Sequence, residues 1–343
     1  MRRRSWLIGC VPALATLITL VAVGPHIFYG HSDADLFLAV ARSPLGNGKH
    51  FPGNHLVQGV AYRYGRVFFP SLGWLLGFGR RPWITWSLAV VYPASVGAWI
   101  AATAEHLIRG GRNPRLALLV LVLPFSVVWI RLPIVVCEPL AGALVLFTYL
   151  CAEDRKHRRT IVAAALTILT REALAIAFVP LIWRAYKERG AAGLIQWSFA
   201  FVPYALWSVW VRLRIGHFPF LDPAATRRDA LALPFVGWSD VLHQPTSHGA
   251  GLGLLVGGAT IAVAVLVAVR SRARSLIVQG ALVSCGFIAC YGWAVWQYPT
   301  EAVRVMAPAQ VLLLIAVLTT SAGRATALRD PAAPERQPVP VSH

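Results

Sequence analysis

Two carboxylates lie close together in the segment GHSDADLFLAV, residues 30–40, directly after an apolar run. Asp33 and Asp35 are separated by one residue, and acids at this spacing can share a divalent cation, Mg²⁺ or Mn²⁺, when the backbone is extended. One of them can instead act as a general base that takes the proton of a hydroxyl nucleophile while the other orients that hydroxyl. Aspartate is also a favoured N-cap, so the pair could simply cap a helix that starts near Leu36.

Three further pairs of one acid and one base lie inside apolar segments: Arg131 with Glu138, Arg171 with Glu172, and Glu301 with Arg304. A charge near the middle of a bilayer costs about 2.5–3.5 kcal/mol on insertion scales and marks a functional site by default. Guanidinium groups bind phosphate through paired, charge-assisted hydrogen bonds. The pairs therefore predict a polar cavity, open to the outside, in which arginines hold an anionic group. Alternatively, the pairs neutralise one another and only fix neighbouring helices together.

An aromatic and basic string, YRYGR, follows at residues 62–66. Tyr62 and Tyr64 offer faces for stacking, and Arg63 and Arg66 offer hydrogen-bond donors to a ligand. The same composition anchors helices to lipid headgroups at the membrane surface. Both interpretations remain open from the residues alone.

The elements that hold these residues are apolar. Of the 343 residues, 57% are hydrophobic and 13% are charged, whereas a soluble domain carries about 25% charge. A bilayer is therefore the expected surrounding. The net charge of +18 comes from short basic clusters between apolar runs, which is the positive-inside pattern and does not predict nucleic-acid binding. The five cysteines show no metal-type spacing and are predicted to be small buried hydrophobes.

Eight apolar segments are long enough to span a bilayer: 6–29, 82–104, 115–131, 133–151, 192–213, 250–269, 276–297 and 303–321. Segment 66–79 is too short and predicts a helix in the outer interface. Segment 160–183 has strongly basic flanks on both sides, so it predicts a hairpin of two short helices bent at residues 170–172. The predicted architecture is an all-α polytopic membrane protein with about ten crossings.

The same pattern assigns the remaining parts of the chain. Residues 1–323 form one membrane domain, with outside loops near 30–65 and 214–249. Residues 324–343 are rich in proline and polar groups and predict a disordered cytoplasmic tail. The basic clusters place both termini in the cytoplasm of a multi-pass protein of the cell membrane.

Five strings resemble, in content and order, landmarks of bacterial GT-C-type membrane glycosyltransferases: SDADLF at 32–37, YRYGRVFFPSLGWLL at 62–76, CEPLAGALVLF at 137–147, LTREALAIAFVPL at 169–181 and EAVRVMAPAQVLLL at 301–314. The resemblance covers most of residues 1–321. Enzymes of this family are polytopic, carry an acidic motif in the first extracytoplasmic loop, and take a sugar from a polyprenyl-phosphate donor.

The resemblance implies a role for each candidate residue. Asp33 or Asp35 would be the catalytic base, with or without a divalent metal, and Arg171, Arg304 and Arg66 would bind the donor phosphate. The cavity would further include Glu172, Glu138, Arg131, Tyr62, Tyr64 and Glu301. The implied partners are the polyprenyl-phosphate sugar donor and membrane lipids, with the acceptor open. Two other functions fit the same pattern, namely a transporter or flippase of a lipid-linked or anionic substrate, and a non-catalytic membrane protein.

Overall fold

The computed structural model describes residues 1–23, 32–46, 59–127, 135–222, 231–243, 250–296 and 298–320, without the side chains of residues 23, 32–34 and 294. The α-helices are α1 Arg3–Val23, α2 Ser32–Arg42, α3 Val60–Tyr64, α4 Phe68–Leu76, α5 Arg81–Arg109, α6 Glu138–Glu153, α7 His157–Thr170, α8 Val179–Arg189, α9 Ala191–Ile215, α10 Val236–His243, α11 Ala250–Ser271, α12 Leu276–Ala289, α13 Trp293–Trp296 and α14 Pro299–Thr320. Three 3₁₀ segments cover Pro114–Val122, Glu172–Phe178 and Pro219–Leu221.

The described part of the chain is all-helical, as predicted, and its one β-bridge joins Leu231 to Tyr291. Within this described part, five helices are long and apolar enough to cross a membrane, namely α1, α5, α9, α11 and α14. Large apolar side chains remain exposed along α1 and α9, including Leu14, Leu206 and Leu213. Such surfaces are expected where lipid rather than water is the neighbour.

Three of the predicted spans are shorter in the structure. In the described part of the span predicted at 115–131, a 3₁₀ segment covers Pro114–Val122, its nine residues reaching about 18 Å, and a separate helical turn follows at 124–127. Leu123 leaves the helical region with ψ 150°, because the ring of Pro124 disfavours helical backbone in the residue before it. The span predicted at 133–151 begins its helix only at Glu138, and α12 ends at Ala289 rather than near 297.

One end of the bundle gathers basic residues from distant parts of the chain, and we call it the basic end. Arg2 donates its backbone N–H to Glu105 at 2.8 Å, which joins the start of α1 to the end of α5. Arg109 donates to Asp154 at 2.7 Å, which brings in the end of α6. Arg112 donates to the carbonyl of Leu318 at 2.7 Å, close to the end of α14. Helices α5, α6 and α14 therefore begin at the opposite end, which we call the far end.

The segment after α6 turns back within the bundle. Helix α7 ends at Thr170, and Arg171 has extended backbone with φ −158° and ψ 102°. The 3₁₀ segment Glu172–Phe178 and α8 then lead the chain back. His157 at the start of α7 and Arg184 near the end of α8 line the same small cavity. The break thus lies at the residues where the sequence places the bend, and both basic flanks lie at the basic end.

Candidate functional site

Glu138 is the central acid of a buried group of charges at the far end. It is the first residue of α6, where Pro139 fits because the first turn needs no N–H donor. Its side chain is fully buried. Arg171 Nη1 donates to Glu138 Oε1, and Arg304 Nε lies 3.3 Å from the same oxygen. One carboxylate therefore joins the start of α6, the break after α7 and helix α14.

Two further ion pairs extend this group. Arg304 Nη2 lies 2.5 Å from Glu301 Oε2, one turn earlier on α14. Arg66 Nε lies 3.6 Å from Glu172 Oε2. Glu301 and Glu172 keep 34% and 24% of their side chains exposed, whereas the three arginines keep 6% or less. The arginines are thus inside the protein, and two of the acids lie at its edge.

Tyr62 is the closest aromatic neighbour of Arg66. The Arg66 guanidinium lies 4.3 Å from the centre of the Tyr62 ring, and its Nη2 donates to the Tyr62 hydroxyl. Arg63 lies 5.4 Å from the same ring. The backbone N–H of Tyr62 donates to Asp222 at 3.2 Å. The string YRYGR therefore contributes directly to the buried charges through Tyr62 and Arg66.

We call the six ionic residues the charge cluster: Arg66, Glu138, Arg171, Glu172, Glu301 and Arg304. The four residues Glu138, Glu172, Glu301 and Arg304 come from three elements, Arg66 and Arg171 lie in connections, and the six span more than two thirds of the sequence. Three positive and three negative groups give a formal charge of zero. Mutual pairing is what makes burial of such groups tolerable in an apolar bundle.

Several polar atoms of the charge cluster are buried without a hydrogen-bond partner among the described residues. They include Nη1 of Arg66, one carboxylate oxygen of Glu138, and Arg66 Nε and Glu172 Oε2, which face each other only at 3.6 Å. Arg66 is 2% exposed and uses only Nη2 in a hydrogen bond. Buried polar atoms are nearly always paired with protein, water or ligand. Arg66 is therefore the cation of the cluster best placed to receive an anionic oxygen.

Helix α9 adds two polar residues that the sequence interpretation missed. Tyr204 and Ser208 lie one turn apart, and both hydroxyl oxygens are buried. Tyr204 interacts electrostatically with Glu172 and Arg66. The signal was available, since two hydroxyl residues at spacing i, i+4 form a polar stripe on an apolar helix.

The acidic pair of the first loop lies in the first turn of α2, which begins at Ser32. The expectation of an N-cap for a helix starting near Leu36 is therefore wrong. The extended backbone needed for a shared cation is also absent at Asp33 and Asp35, because positions i and i+2 of a helix lie about 200° apart. Asp35 is half-buried. The side chain of Asp33 and all of Arg131 lie outside the described residues.

Helix α2 nevertheless packs beside the segment that carries Tyr62 and Arg66. Leu36 and Val40 share an apolar contact group with Val60, Ala61 and Tyr64. Tyr64 is buried and donates its hydroxyl to the carbonyl of Ser43, just after α2, at 2.7 Å. The backbone carbonyl of Tyr64 also accepts from the indole of Trp207 at 2.7 Å. Tyr64 thus joins α2, α3 and α9.

The carboxylates of the charge cluster do not fit a divalent cation. Glu138, Glu172 and Glu301 each face a guanidinium group, and a metal ion there would be repelled by three neighbouring arginines. Across the residues that the structure describes, no three His, Cys, Asp or Glu side chains form a metal-type group. A metal at Asp33 and Asp35 stays a prediction from the sequence, and no chemical step below depends on one.

Comparison of the chain with protein-family models, with curated proteins and with solved structures gives no significant match.

Proposed function

We propose that this protein is a membrane glycosyltransferase that moves a sugar from a polyprenyl-phosphate donor to an acceptor outside the membrane. In this proposal the charge cluster binds the donor phosphate through Arg66, Arg171 and Arg304. The acidic pair Asp33 and Asp35 on α2 supplies the base. The chain crosses the cell membrane about ten times, with two short crossings in the hairpin 160–183. The basic end and both termini face the cytoplasm, in agreement with the positive-inside pattern.

The observation that carries the proposal is the buried guanidinium of Arg66 with donors left over. Its Nη1 makes no hydrogen bond within the described residues, its Nε faces the Glu172 carboxylate only at 3.6 Å, and the side chain is just 2% exposed. An arginine held only to fix helices together would be expected to have its donors satisfied. A phosphate oxygen provides the acceptor that is missing and suits the planar geometry of guanidinium.

The proposed reaction follows from the chemistry of a sugar joined to a phosphate. The acceptor hydroxyl attacks the anomeric carbon from the face opposite the leaving group, and its proton passes to an aspartate carboxylate on α2. The bond between the anomeric carbon and the phosphate oxygen breaks, which leaves an inverted glycoside and free polyprenyl phosphate. The phosphate gains one negative charge as it departs, and the neighbouring arginines stabilise that charge.

The position of the break after α7 also suits this role. Arg171 lies on extended backbone between α7 and a 3₁₀ segment. Non-helical backbone at membrane depth is tolerated where protein or a polar cavity surrounds it. Broken helices of this kind are equally a feature of transporters, so a transporter of the same lipid-linked anion is the second candidate.

The experiment uses purified protein in proteoliposomes with a radiolabelled polyprenyl-phosphate hexose and extracted envelope material as acceptor. We expect label to move to the acceptor fraction, and we expect Asp33→Asn or Asp35→Asn to abolish that transfer without loss of folded protein. Asp240→Asn is the matched control, because Asp240 is an exposed acid on α10. A base contributes about 10²–10⁴-fold to such a rate.

The outcomes separate the candidate functions. Full transfer in both aspartate variants would refute the catalytic assignment. Movement of the labelled lipid across the bilayer with no glycoside formed would favour the transporter. Absence of transfer, flux and donor binding together would leave the charge cluster as a structural element of a non-catalytic protein.

A further inference from the structure

A second polar site lies at the basic end, remote from the charge cluster. It is a cavity of about 40 Å³ between the start of α7, the end of α8 and the start of α9. Its floor consists of Thr160, Leu181, Ala185 and Trp197, all buried. This volume holds about three water-sized groups, which is enough for the two free oxygens of a phosphodiester. Trp197 packs on Phe178 with ring centres 5.8 Å apart, and this contact holds the Trp197 ring in place at the cavity.

The rim of this cavity is positively charged. Arg155, Arg184 and Arg189 line it together with one acid, Glu188. Arg184 Nε lies 2.7 Å from Glu188 Oε1, which neutralises one arginine. The formal charge is thus three minus one, or +2, before any contribution from His157. The cavity is therefore complementary to an anion.

An apolar groove runs along the other side of α8. Its volume is about 260 Å³, and Val179, Ile182, Trp183, Tyr186 and Leu194 line it. The Trp183 and Tyr186 rings are 5.6 Å apart. Lys187 Nζ lies 4.9 Å from the centre of the Trp183 ring. Aromatic and basic residues combined in this way are typical of the level of lipid headgroups.

The cavity and the groove share the α8–α9 junction. On α8, Leu181 lines the cavity and the next residue, Ile182, lines the groove. On α9, Trp197 lines the cavity, and Leu194, one turn earlier, lines the groove. An occupant that reaches both sites must combine a small anionic group with a long apolar chain. Basic pockets between membrane helices on the cytoplasmic side are suited to such lipids.

We propose that the α8–α9 junction binds one anionic phospholipid, with its phosphate in the basic cavity and an acyl chain in the apolar groove. The site is independent of the proposed transferase activity. It lies at the opposite end of the bundle and requires only that the protein sits in a membrane.

The test is native mass spectrometry of the full chain in detergent, titrated with phosphatidylglycerol or with phosphatidylcholine of the same acyl chains. We expect wild-type protein to retain one phosphatidylglycerol in preference to phosphatidylcholine. The double substitution Arg155→Gln with Arg189→Gln should weaken that binding roughly thirtyfold. The matched control is Arg158→Gln with Arg159→Gln, which removes two exposed arginines of the same flank that do not line the cavity.

Further measurements distinguish specific lipid binding at the α8–α9 junction from non-specific attraction of anionic lipid to the basic surface. Leu194→Ser, at a groove position that is 43% exposed, should also weaken binding, and glycerol phosphate without acyl chains should compete poorly. Equal losses in the two double variants would mean attraction to the basic surface as a whole and would overturn the proposal. So would equal retention of both lipids, or competition by glycerol phosphate as strong as by the lipid.

Discussion

Glu138 bridges two buried guanidinium groups, so its charge is expected to dominate the stability of the far end. The substitution Glu138→Gln keeps the size of the side chain and removes its charge, which leaves Arg171 and Arg304 facing each other across the former carboxylate. Removing one partner of a buried ion pair costs about 3–5 kcal/mol, because the other charge stays buried without compensation. Glu138 is fully buried, so we expect a loss of stability within this range.

The structure also predicts that the two partners of the Glu138–Arg171 ion pair contribute unequally to stability. Arg171→Gln leaves Glu138 with a second cation, since Arg304 Nε lies 3.3 Å from the same oxygen. We therefore expect Arg171→Gln to cost about half as much as Glu138→Gln. The double variant Glu138→Gln with Arg171→Gln should lose about 1–3 kcal/mol less unfolding free energy than the two single losses added together.

The measurement is unfolding by graded denaturant in detergent micelles, followed by tryptophan fluorescence of the chain's 13 tryptophans. Glu188→Gln serves as the control, because Glu188 forms a solvent-accessible ion pair with Arg184, one turn earlier on the same helix. Such a pair contributes about 0.3–0.5 kcal/mol. A loss below about 1 kcal/mol in Glu138→Gln would refute the account of a buried bridge.

Two further predictions concern helix packing and the basic end. Gly97→Ala should destabilise the contact between α1 and α5 by about 1–3 kcal/mol, because a Cβ there would lie 2.8 Å from the Gly9 carbonyl oxygen, whereas Gly251→Ala meets open space and should be neutral in the same denaturant titration. Hydrogen bonds from Arg109 and Lys156 lower the pKa of Asp154 to about 2. The stabilisation from this charge is therefore complete above about pH 4 and lost as the pH falls toward 2. Asp154→Asn should lower the melting temperature at neutral pH. In a pH series, the variant should also lose less stability than the wild type as the pH falls from about 4 toward 2.

The membrane class and the convergence of charges followed from simple features of the sequence. Apolar length and scarce charge indicate a bilayer, and a charge inside an apolar run is costly unless it is paired. Glu138, Arg171 and Arg304 were therefore expected to gather, and the structure joins them directly. The sequence pattern paired Arg171 with its neighbour Glu172, whereas the folded chain pairs it with Glu138, because adjacent residues at a helix break diverge.

The lengths of individual elements were less predictable. Hydropathy counts apolar residues but does not register backbone geometry, so it missed the 3₁₀ conformation of Pro114–Val122. The helical position of Asp33 and Asp35 was likewise hidden, since Asp is common both in loops and in the first turn of helices. The spacing of Tyr204 and Ser208 marks a polar stripe on α9, but which residues this stripe faces depends on how α9 packs.

The central claim is that the guanidinium of Arg66, whose Nη1 has no hydrogen-bond partner among the described residues, receives the phosphate of a polyprenyl lipid. Its most direct test is the binding of polyprenyl phosphate to the detergent-solubilised full chain, compared between wild type, Arg66→Gln and Arg81→Gln, an exposed arginine at the start of α5. A charge-assisted hydrogen bond contributes about 1.5–3 kcal/mol. The account predicts at least about tenfold weaker binding in Arg66→Gln and unchanged binding in Arg81→Gln. Equal affinity of all three proteins would contradict it.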